Sequence, residues 1–172
     1  MSLCIVANWK LNGSREFNQQ WALEFLKHFN GNNFQSFGIA PASLYIDHLK
    51  EILNNCGIKI GAQNIDYLET GARTGEISAS MIKDLGCEFC IIGHSERRTL
   101  FNETSQIIHQ KLIQANNNSI IPILCVGESA EDNQTTNTFN FLEKQIIEAL
   151  QGIAELNSLI IAYEPVWAIG SG

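Results

Sequence analysis

Six short runs of apolar, often β-branched residues, separated by longer amphipathic or polar segments, constrain this chain more than any other feature. The runs are Cys4–Ala7, Phe37–Ala40, Lys59–Gln63, Phe89–Ile92, Ile120–Val126 and Leu159–Tyr163. Their Ile, Val and Cys content and their Gly or Pro flanks predict strands. Their near-continuous hydrophobicity predicts burial on both faces, as in a parallel sheet covered by helices.

The intervening segments have helical spacing. Phe17, Trp21, Phe25 and Phe29 recur every four residues and predict one apolar helix face. Ser43 is placed to cap a helix carrying Leu44, Leu49, Ile52 and Leu53. Ile107, Ile108, Leu112 and Ile113 predict another helix, stopped by Asn116-Asn117-Asn118. Phe139, Leu142, Ile146, Ile147 and Leu150 predict a further one, ending near Gly152. Residues 64–80 hold Gly71, Gly75 and polar side chains and read as a long loop before a short helix around Ala79–Leu85. Loops of that length usually bind something.

Repeated β/α units suit either an open doubly wound sheet or a (β/α) barrel. The segment after the first strand, Asn8-Trp9-Lys10-Leu11-Asn12-Gly13, has a single Gly where a nucleotide-binding loop needs several. That favours an α/β barrel, with residues 1–172 forming one domain.

Composition narrows the function. Against 18 acidic residues stand 11 basic ones, a net charge of −7. The low pI and a lone basic pair, Arg97-Arg98, argue against nucleic acid. No apolar run approaches the roughly 20 residues of a membrane span. Residues 1–10 lack the charged start, apolar stretch and cleavage site of a signal peptide, so a cytoplasmic protein is expected. The five cysteines, Cys4, Cys56, Cys87, Cys90 and Cys125, have no disulfide-framework or zinc spacing. Cys87-Glu88-Phe89-Cys90 matches C-x-x-C formally, but leads into a strand where a redox motif would open a helix. Buried structural thiols are expected.

In either architecture ligands bind at the carboxyl ends of the strands. Asn8 and Lys10 follow the first run, Gln63 and Asn64 the third, and His94, Ser95, Glu96 and Arg97 the fourth. Gly127 and Glu128 follow the fifth, and Glu164 the sixth. Polar residues at strand ends are common on any fold, but three of these stand out. Strand alternation turns Lys10 the same way as Asn8, and an ammonium there would hold an anion or a developing oxyanion. His94 sits where a strand gives way to a helical turn, and a helix N-terminus disfavours the imidazolium. The other histidines, His28, His48 and His109, lie on helical segments as surface or packing residues. Glu164, between apolar Ile160-Ile161-Ala162-Tyr163 and Pro165, is a candidate general base whose walls would raise its pKa. The segment Pro165-Val166-Trp167-Ala168-Ile169-Gly170-Ser171-Gly172 has the Pro, Gly and apolar middle of a hinged lid that would exclude water.

Five motifs in order carry a family resemblance: Ala7-Asn8-Trp9-Lys10, Ala62-Gln63-Asn64, residues 71–78 (Gly-Ala-Arg-Thr-Gly-Glu-Ile-Ser), Gly93-His94-Ser95-Glu96-Arg97-Arg98, and the Ala162–Gly170 segment. Together they resemble the triosephosphate isomerases along the whole chain. The resemblance implies a TIM barrel and the interconversion of dihydroxyacetone phosphate and glyceraldehyde 3-phosphate in glycolysis and gluconeogenesis, with no cofactor and no metal. It implies Glu164 as base, neutral His94 as donor to the enediolate oxygens, Lys10 as positive charge, and Asn8 and the lid's Gly170 as substrate-binding groups. Ser95 would hold Glu164 while the lid is open, and Glu96 would stand near Lys10. The loop around Thr74 would insert beside a partner subunit's site in a homodimer, pinned with the help of Glu76 and Arg97. Two departures are minor: residues 128–137 lack part of the usual acidic–basic helix start, and Ser171 stands where Thr is common. The third is length. A complete barrel of this kind runs to about 250 residues, so this chain is expected to cover six of eight units. On its own it is expected to be inactive, or to act as a binding module needing a C-terminal complement.

Overall fold

The computed structural model describes residues 4–29, 36–135 and 137–168. Its six strands are β1 (Cys4–Asn8), β2 (Ser36–Ala40), β3 (Ile58–Ala62), β4 (Phe89–Ile92), β5 (Ile121–Val126) and β6 (Ile160–Tyr163). Each falls on one of the apolar runs, shifted by a residue or so at the ends. All neighbours pair in parallel and the order in the sheet is β1-β2-β3-β4-β5-β6. A doubly wound sheet reverses its order at a switch point. This one never does, so it curls as part of a (β/α) barrel.

The helices are α1 (Arg15–His28), α2 (Ile46–Ile52), α3 (Ala79–Asp84), α4 (Ser95–Leu100), α5 (Ser105–Asn117), α6 (Ala130–Thr135) and α7 (Thr138–Leu150). Ser14, Ser78, Thr104 and Asn137 cap α1, α3, α5 and α7 through their side chains, which accept from backbone N–H groups. Ser43 does not cap α2. It opens a 3-10 turn, Ser43–Tyr45, which leads into α2 with no side-chain cap, and Leu44 points into solvent. Ala42, at φ −57° and ψ 140°, is not helical, and the α-helix starts one turn later. The aromatic run of α1 forms a ladder: Trp21 stacks on Phe25 and Phe25 on Phe29, each with ring centroids 4.9 Å apart. The fully buried residues of that helix are instead Asn18 and Ala22, small enough for close packing.

The core has two layers. Between sheet and helices lie Ile39, Ile60, Ile92, Leu124 and Val126 with Ile46, Leu49, Ile82, Ile108 and Leu112. On the concave side Ala40, Phe89, Ile91, Ile123 and Cys125 form the second. Alternation along β4 and β5 thus feeds both layers, as expected of strands buried on both faces. The Phe89 ring explains two glycines. A Cβ on Gly61 would come within 2.4 Å of it, and one on Gly38 within 2.8 Å.

Candidate active site

The carboxyl ends of β1, β4, β5 and β6 open onto a cavity of about 470 Å³. Asn8, Lys10, His94, Cys125 and Glu164 all line it. The structure therefore brings together the cation, the imidazole and the carboxylate that the strand ends suggested. Among the described residues no group of three or more His, Cys, Asp or Glu side chains is placed to hold a metal ion.

Lys10 reaches this cavity through a left-handed backbone, φ 51°, a conformation that non-glycine residues adopt only when their surroundings impose it. Two amides impose it. The Asn8 Oδ1 accepts from the Lys10 N–H at 3.0 Å, and Gln63 Nε2 donates to both the Lys10 and Ala40 carbonyls, at 2.9 and 2.8 Å. The Lys10 ammonium then meets Glu96 Oε1 at 2.7 Å. The hydrogen bond from Lys10 holds the Glu96 carboxyl below the usual carboxylate range.

His94 is buried and occupies the cap position of α4. Its Nδ1 accepts from the Glu96 N–H at 3.2 Å. A nitrogen that accepts carries no proton, so in the neutral ring the proton sits on Nε2. Nε2 faces the cavity, 3.4 Å from Glu164 Oε1. Glu164 follows β6 directly, and its N–H donates to the Val126 carbonyl at 2.8 Å. Its carboxylate receives the Ser95 backbone N–H at 3.4 Å and the Cys125 thiol at 3.3 Å. It is thus the backbone of Ser95, not its hydroxyl, that meets the carboxylate. Burial first, and the Glu164 charge second, push the Cys125 thiol far above its usual range, so it stays a protonated donor.

Two further residues contribute to the site. Sequence alone makes Cys125 a structural thiol; its inward position on β5 places it against Glu164. Glu128, noted only for following the fifth run, is buried and accepts from Tyr163 Oη at 3.0 Å and Trp167 Nε1 at 2.9 Å. Its carbonyl accepts the Val166 N–H at 3.1 Å. Burial pushes this carboxyl up, and the bonds from Trp167 and Tyr163 more than reverse it, leaving it below the usual range. Glu128 therefore anchors the base of the expected lid, where Val166–Ala168 forms a 3-10 turn. Gly170 and Ser171 lie outside the described residues.

The long loop after β3 leaves Thr74 and Glu76 exposed near its tip. Its own brace is Asp66, which accepts from Arg73 Nε at 2.8 Å and Leu68 N–H at 2.7 Å, while the Arg73 guanidinium lies 4.6 Å over the Tyr67 ring. Arg97 is directed to the loop's root: it pairs with buried Glu103, which also holds Lys111, and Lys111 donates to Asn64 Oδ1 at 2.7 Å. Burial, outweighing the Glu103 bond, holds the Lys111 ammonium below its usual range.

A family model described as triosephosphate isomerase matches residues 3–172. The chain belongs to the triosephosphate isomerase family. It is 43% identical over 175 residues to the triosephosphate isomerase of Aquifex aeolicus, covering 100% of this chain and 70% of that protein. With the triosephosphate isomerase of Nitrosococcus oceani it shares 41% identity over 170 residues, 98% of this chain and 68% of the other. With that of Dictyoglomus thermophilum it shares 42% over 172 residues, again 98% and 68%. For a member of this family, the partial (β/α) barrel and the strand-end cavity are the expected frame.

Proposed function

We propose that this protein interconverts dihydroxyacetone phosphate and D-glyceraldehyde 3-phosphate through an enediolate. The observation that carries the reading is the single cavity shared by the Glu164 carboxylate, the His94 Nε2 and the Lys10 ammonium. Membership of the triosephosphate isomerase family supports it.

The chemistry needs a base to move a proton between adjacent carbons and a positive environment for the oxygen that gains charge. Glu164 serves as the base. Its bond from the Ser95 N–H is long, 3.4 Å, and the Cys125 thiol at 3.3 Å is by nature a weak donor, so neither holds it strongly. The carboxylate leaves them at little cost to reach a substrate carbon. His94 Nε2–H is aimed as donor to the enediolate oxygens, its tautomer held by the Glu96 N–H. Lys10 adds a fixed positive charge to the same oxygens and to the substrate's phosphate, where such preorganised charge acts most strongly. Asn8 serves the binding of substrate indirectly, by holding the Lys10 backbone. The exposed tip around Thr74 and Glu76 suits a homodimer in which that loop meets a partner subunit, with Arg97 supporting its root. A polypeptide of residues 1–172 by itself is proposed to be inactive, since β1 and β6 each have one strand neighbour among the described residues. A cytoplasmic place belongs to the same reading, and no described helix is long and apolar enough to cross a membrane.

The test is an isomerase assay on residues 1–172 joined to the C-terminal part of a complete relative. Glu164→Gln and His94→Leu should each lower kcat by about 100-fold or more, with melting temperatures near that of the parent. Near-normal turnover in either variant would remove that residue from its role.

A further inference from the structure

The strand that carries Glu164 is held by β5 one residue beyond the end of the regular sheet. Val126 O accepts the Glu164 N–H at 2.8 Å and Glu128 O accepts the Val166 N–H at 3.1 Å. These two bonds bracket the base. Between them, Gly127 turns both its peptide groups to the opposite flank, as strand alternation requires. There β4 has already ended: its last pair with β5 is Ile92 with Leu124, and Gly93 leaves the sheet with φ 71°. The Gly127 N–H and C=O would thus have no strand to bond.

A side chain supplies the missing strand. Gln145 of α7 accepts the Gly127 N–H on Oε1 at 3.0 Å and donates from Nε2 to the Gly127 carbonyl at 3.3 Å. The N–H can face only an oxygen, which fixes the amide's orientation. One primary amide therefore pairs with Gly127 as a neighbouring backbone peptide would. Gly127 has no slack on its other side: a Cβ there would lie 1.8 Å from the Glu164 carbonyl oxygen. The backbone of the base and the backbone of Gly127 are in direct contact, and Gln145 sets the position of the latter.

We propose that Gln145 is a positioning residue for Glu164, acting through the Gly127 peptide groups. It touches neither the cavity nor the reacting groups. Its substitution frees Gly127 to shift, and with it the Val126 and Glu128 carbonyls that bracket the base. This role rests on the isomerase reading for its effect on turnover, but not for its effect on the backbone.

Two measurements on residues 1–172 joined to the C-terminal part of a complete relative test it. The first is amide hydrogen exchange at Glu164 and Val166, which needs no activity. Gln145→Leu should speed exchange at both amides on the order of tenfold, whereas Lys144→Ala, exposed on the same helix, should not. Unchanged exchange in Gln145→Leu overturns the proposal. The second is steady-state kinetics. Gln145→Leu should lower kcat by about tenfold or more with KM within about twofold, and Gln145→Glu should do likewise at neutral pH. As the pH falls and the introduced carboxyl gains a proton, it recovers a donor for the Gly127 carbonyl. The ratio of its kcat to that of the parent should then climb, a behaviour that mere loss of packing does not produce. A ratio flat with pH, or a Gln145→Leu variant with parental kcat, overturns the positioning role while leaving the isomerase reading intact. A parent protein without isomerase turnover sinks that reading, and the exchange data still decide the role of Gln145.

Discussion

The Lys10 ammonium and the Glu96 carboxylate, 86 residues apart in sequence, meet at 2.7 Å across the mouth of the sheet. Glu96 also supplies the N–H that holds His94 Nδ1. One residue at the start of α4 thus steadies both the cation and the imidazole.

The first prediction concerns that pair. Lys10 holds the Glu96 carboxyl low, so the pair is present at neutral pH. Its contribution is complete above the unfolded carboxylate pKa and is lost as the pH falls through the depressed folded value. Carboxyl NMR titration should place Glu96 below the ordinary range, and Lys10→Met should bring it back up. An unmoved titration in Lys10→Met would show that another group sets it.

The thiols form the second. Burial pushes Cys87 up to about 11 and Cys90 and Cys125 further still. Thiolate is the reactive form, so these three should resist alkylation in the native protein at pH 7.5. Exposed Cys4 and partly exposed Cys56 should react. Mass mapping after iodoacetamide treatment, native against unfolded, checks this. Replacing Cys87 and Cys90 together by Ala should cost about 1–3 kcal/mol of packing and leave turnover insensitive to reductant.

The loop after β3 provides the third. Burial raises the Asp66 carboxyl, but the Leu68 N–H and the Arg73 guanidinium outweigh it and hold it low. The brace should therefore persist at neutral pH and fail as the pH falls through that lowered value. Arg73→Ala should loosen the loop and raise the dimer dissociation constant on the order of tenfold. Sedimentation of residues 1–172 joined to the C-terminal part of a complete relative, over a concentration series, measures it. A variant as tightly dimeric as the parent would show that the brace does not serve the interface.

A fourth prediction follows from the sheet's outer edges. A polypeptide of residues 1–172 alone carries Lys10, His94 and Glu164 but leaves β1 and β6 open on one side among the described residues. Unpaired edges recruit other strands. It should aggregate and show little isomerase turnover, and an added C-terminal piece from a complete relative should restore activity. Substantial turnover by a monodisperse 172-residue polypeptide would refute this.

Much of this molecule was legible in the order of its residues. Strand and helix positions follow from local hydrophobic period, which neighbours a few residues apart determine, so the six runs became β1 to β6 with small end shifts. Lys10, His94 and Glu164 could be singled out because strand ends in such sheets converge on one face. A cap at Ser43 is not found because a 3-10 turn, entered from non-helical Ala42, precedes the α-helix. Short α6 has no signal in the hydrophobic pattern, because its polar Ala130–Thr135 stretch has no apolar period.

What tertiary structure alone decided is the placement of atoms to within a few tenths of an ångström. Gln63 and Asn8 hold Lys10 left-handed, Cys125 and the Ser95 N–H receive Glu164, and Gln145 pairs with Gly127. Each of these contacts joins groups through direction as well as proximity, and most join distant parts of the chain. Hydrophobic pattern is a sum over many weak, undirected terms and survives in one dimension. A hydrogen bond depends on the distance and angle between two particular groups, and that relation exists only once the sheet has curled and brought its strand ends together.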